Sequence, residues 1–146
     1  CRSGRNRPRG FLISSPKRVV IEDNEFENSS YGLHFTGDTK FWFESTGVRD
    51  VLIRGNRFEN CGYHYGEAAI CFLPEFTAES DQEYFHRNIV IEDNRFETFT
   101  GGVLFAKDTE NLIFRNNEII QTHAYPRRRK NEPFELVHCR NVVLEN

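Results

Sequence analysis

The stretch Val19-Val-Ile-Glu-Asp-Asn-Glu-Phe-Glu-Asn28 returns as VLIRGNRFEN at 51–60 and as IVIEDNRFET at 89–98. A shorter version, LIFRNNEII, stands at 112–120, and VVLEN occupies 142–146. Each copy is an alternating β-branched run, an Asn, one further residue and an apolar side chain. Self-similarity at this length is the mark of a solenoid. The β-branched content and period-2 alternation point to strands rather than stacked helix pairs. The expected fold is all-β, a right-handed parallel β-helix of about five coils, with 1–146 as a single domain.

The copies begin 32, 38, 23 and 30 residues apart. Solenoid repeats start at about 20 residues, so the third interval is nearly bare and the others carry loops. Phe26, Phe58, Phe96 and Ile119 are expected to form one inward column, and Ile21, Ile53, Ile91 and Phe114 another. Asn24, Asn56, Asn94 and Asn117 fall at one turn. Asn tolerates a left-handed backbone and its amide can bond along the stack, so this column reads as a structural ladder. A further strand per coil is legible at 10–13, 31–35, 67–73, 102–106 and 134–138. Alternation there sends Leu33 with Phe35, Val103 with Phe105 and Phe134 with Leu136 inward; in the second coil the run is apolar on both sides, and Ile70 with Phe72 is the favoured inward pair. His34, Leu104 and Glu135 would face outward.

A net charge of −3 and a pI near 6.0 make no case for nucleic acid as a partner, and no apolar run is long enough to span a bilayer. The chain opens at Cys1 and has 14 Phe and no Met. It starts and stops inside a coil without a polar cap, so the expectation is a portion of a longer solenoid. Cys1, Cys61, Cys71 and Cys139 show no CxxC spacing and no metal-ligand pattern. Free thiols are expected, with a Cys61–Cys71 bridge as the alternative.

Loops gather on one side. Two long insertions follow the third strand, at 36–49 and 74–87, and two precede it, at 61–66 and 121–132. The turn at the Asn never grows. One face is thus walled on both sides, the form expected of an enzyme groove or a glycan binder. The first wall carries Asp38, Trp42 between Phe41 and Phe43, and Glu44. An indole offers its face to a sugar ring, and carboxylates accept from hydroxyls. Tyr63, His64 and Glu67 lead into the second coil's third strand, with Glu75 beyond it, His34 one coil earlier and Arg9 at the start. Coils rise about 4.8 Å each, so carboxylates one or two coils apart stand about 5–10 Å apart. Retaining glycosidases use about 5–5.5 Å and inverting ones about 6.5–9.5 Å. Asp50 shares the position of Asn88, Asn111 and Asn141 and reads as a turn residue. The basic run 127–130 reads as a solvated face or a contact for an anionic glycan.

With these residues in view, the chain resembles the β-helix of glycoside hydrolase family 110, inverting α-1,3-galactosidases. The resemblance rests on NRPRGFLIS at 6–14, on GDTKFWFES at 37–45 through VRDVLIRGNRFENC at 48–61, and on YHYGEAAI at 63–70 with Pro74-Glu75. It covers roughly residues 5–75; the rest matches as generic repeat of the pectin lyase-like superfamily. It implies hydrolysis of a terminal α-galactoside by one carboxylic acid and one carboxylate, a carbohydrate substrate, no cofactor and no metal, and work outside the cytoplasm. From position, Asp38, Glu67 and Glu44 are the catalytic candidates. Trp42, His34, His64, Tyr63, Glu75 and Arg9 are the substrate-binding ones. Two other readings stay open: a polysaccharide lyase or epimerase using Arg to neutralise a uronate, and a glycan-binding β-helix without turnover.

Overall fold

A computed structural model describes residues 1–38, 46–64, 68–75, 84–126 and 131–146. The described residues form thirteen strands: β1 (Arg2–Gly4), β2 (Phe11–Ile13), β3 (Val19–Glu22), β4 (Glu25–Glu27), β5 (Leu33–Phe35), β6 (Arg49–Arg54), β7 (Arg57–Glu59), β8 (Ile70–Phe72), β9 (His86–Glu92), β10 (Arg95–Thr98), β11 (Leu104–Arg115), β12 (Glu118–Gln121) and β13 (Phe134–Glu145). All strand pairings between them are parallel. The fold is the expected parallel β-helix.

Each coil contributes three strands to three stacks. One stack is β1-β4-β7-β10-β12. The second is β3-β6-β9 and the third is β2-β5-β8; the long strands β11 and β13 run through both. The fusion has a local cause. Coils one and two insert a wall between third and first strand, whereas 104–115 and 134–145 carry none. Those strands turn the corner on left-handed residues instead, Asp108 and Asn111 (φ 49° and 57°), and His138 and Asn141 (φ 51° and 53°).

The inward columns fall as read from the repeat. Phe26, Phe58, Phe96 and Ile119 are register partners, as are Ile21, Ile53, Ile91 and Phe114. Because the coils repeat in register, the phenyl rings stack. Phe26 on Phe58 is 5.0 Å between centroids, Phe58 on Phe96 is 4.8 Å and Phe35 on Phe72 is 4.3 Å. The Asn column is a continuous ladder: the amides of Asn24, Asn56 and Asn94 each donate to the next Oδ1 at 2.9–3.0 Å. The same oxygens accept backbone N–H groups. The left-handed backbone, however, lies one residue earlier, at Asp23, Gly55, Asp93 and Asn116. The ladder Asn stays in ordinary conformation, which frees its side chain to point into the turn. Asp50 is left-handed (φ 55°) and begins an outer ladder through Asn88, Asn111 and Asn141, as its position implied.

The third coil differs from expectation. β11 pairs Leu104 with Ile70, Phe105 with Cys71 and Ala106 with Phe72. Leu104 and Ala106 are therefore inward, at 1% and 0% exposed. Phe105 faces out. The apolar run at 103–106 hides its own phase, and only the in-register neighbours decide it. All four thiols are free; burial pushes the Cys61 thiol up to about 12. No helix among the described residues is long and apolar enough to cross a membrane.

Candidate functional site

The outward column of the third stack is Leu12, His34, Cys71, Phe105 and Glu135. Stacking does not stop where β5 and β8 end. Leu73 N–H donates to Phe35 O and Glu75 N–H to Gly37 O, both at 2.9 Å, and Asp38 pairs with Glu75 in an isolated parallel bridge. The chain thus stays in register two or three residues into each wall. That register sets two carboxyl-bearing residues side by side on neighbouring coils, about 4.8 Å apart at the backbone. Asp38 is buried and Glu75 is exposed.

A cleft of about 210 Å³ lies over this face, lined by Arg9, Leu12, His34, Thr36, Asp38 and Glu75 among others. Four of the expected site residues, Arg9, His34, Asp38 and Glu75, meet here. The His34 imidazole is 8% exposed. Neither ring nitrogen has a hydrogen-bond partner among the described residues, though Tyr31 packs on the ring at 5.1 Å. Burial first, and the Arg9 guanidinium second, lower its pKa to about 4. At neutral pH it is therefore an uncharged group with one donor and one acceptor, which suits a hydroxyl. Arg9 reaches the groove because the segment before β2 is held against coil one: Gly10 N–H bonds Tyr31 O, and Ser29 Oγ donates to Pro8 O.

Tyr63 and His64 do not line this cleft. Tyr63 stacks on Tyr125 at 5.4 Å, and Phe99 meets Tyr125 edge-on. His64 is exposed, with its backbone N–H on Ser29 O. These aromatics pin the loops that precede the third strand to one another across coils, a role their spacing did not reveal. Trp42, Glu44 and Glu67, with the run 127–130, lie outside the described residues.

His86 carried no signal in the repeat, yet it ties the two walls together. It is fully buried, and its Nδ1 accepts the Val48 N–H at 3.2 Å. Its proton therefore sits on Nε2. Burial, with Arg49 and His34 adding to it, lowers its pKa to about 3. Arg49 Nη1 donates to both Val48 O and Phe85 O, so the last residues of the first wall are fastened to the last residues of the second. Tyr84 in turn stacks on His138 at 4.8 Å, with the Arg140 guanidinium 4.9 Å from its ring centroid. Both walls are anchored at their ends to rigid coils, so the cleft stands on a fixed floor.

Among known proteins, the family model described as "Right handed beta helix region" matches residues 1–146. The chain is 44% identical over 96% of its length to "Alpha-1,3-galactosidase B" of Phocaeicola vulgatus, covering 25% of that protein. It is 39% identical over 99% to "Alpha-1,3-galactosidase A" of Bacteroides fragilis (25% of that protein), and 36% identical over 97% to "Alpha-1,3-galactosidase B" of Akkermansia muciniphila (18%). The chain spans about a quarter of the length of the first of these relatives. The likeness read from the motifs at 5–75 thus extends along almost the whole chain, and the chain belongs to the right-handed β-helix family, similar in sequence to the α-1,3-galactosidases.

Proposed function

We propose that the protein at full length is a glycoside hydrolase that removes terminal α-linked galactose by inversion, with its reaction centre in the cleft over coils one and two. The observation that carries the hydrolase reading is the placement of Asp38 and Glu75 side by side in register, one buried and one exposed, beside a neutral His34; inversion itself is carried by the resemblance to the inverting α-1,3-galactosidases, since backbone spacing does not set the separation of the two carboxyl groups. Acid/base pairs on glycosidases are two carboxyl groups in unlike surroundings. Asp38 is one of them. Glu75, a substrate-binding candidate by sequence, is the second carboxyl proposed here, with Glu67 and Glu44 as the other catalytic candidates read from position. The step is a single displacement: one carboxylic acid protonates the glycosidic oxygen, and the other carboxylate takes a proton from the attacking water. His34 and Arg9 hold sugar hydroxyls, and Trp42 keeps its expected place stacked on the sugar. The names of the relatives support galactose as the terminal sugar. The setting proposed is outside the cytoplasm, where such glycans are met.

Amide variants of the full-length protein test the assignment. Asp38→Asn lowers kcat on an aryl α-galactoside by about 100- to 10,000-fold, the share a general acid or base supplies. Of Glu75→Gln and Glu67→Gln, the one that does the same marks the second carboxyl. An Asp38→Asn variant with wild-type kcat overturns the site. Arg9 in the same cleft favours one other reading, a uronate lyase, since a guanidinium neutralises a uronate carboxylate. An ultraviolet-absorbing unsaturated product from a polyuronate would establish that instead.

A further inference from the structure

The outward column continues past the cleft. From His34 it passes Cys71, 1% exposed, and reaches Phe105, which is partly exposed. Phe105 is an aromatic ring on the same outward face as the cleft, two coils and so about 10 Å along the axis from His34. Its placement runs against core packing. In the inward column beside it, Phe35 and Phe72 stack at 4.3 Å, and the third coil offers only Ala106 to continue them. Exchanging Phe105 and Ala106 would extend the aromatic stack and hide the part of the ring that is exposed, which the hydrophobic effect favours. The chain keeps the ring on the outward face instead. Two side chains with polar ends stand beside it: Glu135, its register partner one coil on, and Lys107, two residues along the same strand and so on the same face. A flat apolar face flanked by an acceptor and a donor is the equipment for a pyranose ring, whose C–H face stacks while its hydroxyls bond outward.

We propose that Phe105 is the stacking platform of a second subsite, taking the sugar on the leaving-group side of the scissile bond, with Glu135 and Lys107 as its hydroxyl contacts. This rests on the glycosidase reading of the cleft and extends it to an oligosaccharide lying along the coil axis.

The test compares two substrates on the full-length protein, a galactosyl-α-1,3-galactosyl-β-1,4-N-acetylglucosamine trisaccharide and galactosyl fluoride, which has no sugar beyond the bond cut. Phe105→Leu keeps an apolar side chain without a flat face; Phe105→Tyr keeps the face. For the trisaccharide, Phe105→Leu raises KM about fivefold to tenfold with kcat unchanged, the size of one aromatic contact. Phe105→Tyr behaves as wild type, and neither variant alters turnover of the fluoride. Equal KM for wild type and Phe105→Leu on the trisaccharide overturns the platform, as does a loss of equal size on both substrates. If the wild type hydrolyses neither substrate, the glycosidase reading is what fails. Saturation-transfer NMR with the trisaccharide and methyl α-galactoside then decides the platform alone. Selective loss of trisaccharide binding in Phe105→Leu upholds it; unchanged binding, or none in the wild type, removes it.

Discussion

Asn94 shows how one residue holds a coil. It is 2% exposed; its Oδ1 accepts both the N–H and the amide of Asn56, and its Nδ2 donates to Ile53 O, Glu92 O and Asn117 Oδ1. Asn94→Ala orphans buried groups on two neighbouring coils, each costing about 1–3 kcal/mol, so urea denaturation should show a loss of at least about 2 kcal/mol. Glu118→Ala, which breaks an exposed pair with Arg95 at 2.9 Å, should cost under about 1 kcal/mol. The two buried imidazoles set an acid limit. His34 and His86 have pKa values lowered by burial to about 4 and about 3, against 6.5 unfolded. Below pH 6.5 the unfolded chain binds protons that the folded chain refuses, so stability rises with pH through this window. Tm should fall as pH drops from about 6.5 to about 4, and the slope should be shallower in His86→Gln; equal slopes would contradict the assignment. At this scale the ladder was legible because the Asn recurs in every copy. His86 was not, since Val48 and Thr109 hold the equivalent positions and no repeat marks it.

At the level of elements, the walls are joined through a backbone contact that only glycine allows. A Cβ on Gly47 would lie 1.6 Å from the Phe85 carbonyl oxygen. Gly47→Ala must part the end of the first wall from the end of the second, at a cost of at least about 1–3 kcal/mol. It should lower Tm and open the walls to limited proteolysis, whereas Gly4→Ala, whose nearest neighbours stand at 3.8 Å, should do neither. Strand order and the two main core columns were readable from sequence because the same phrase repeats with its phase intact. The phase of β11 was not, because Val103, Leu104, Phe105 and Ala106 are all apolar and alternation is silent there. Only pairing with Ile70, Cys71 and Phe72 resolves it, and that resolution is what turns Phe105 outward.

For the whole molecule, the uneven loop lengths singled out one face, and the structure places Arg9, His34, Asp38 and Glu75 around one cleft on it. The separation of Tyr63 and His64 from that cleft was hidden because residues before and after a third strand look alike in sequence but stand at opposite ends of it. Long parallel stacks tie all these features to one axis, so a glycan bound over coils one and two can run on over coil three. At full length the protein is proposed to be an inverting α-galactosidase. Proton NMR of galactosyl-α-1,3-galactose with the full-length protein, followed from the first minutes, tests it most directly. With inversion, β-galactose appears first and equilibrates to the α-anomer; early α-galactose, or an unchanged spectrum with the protein folded, rules inversion out.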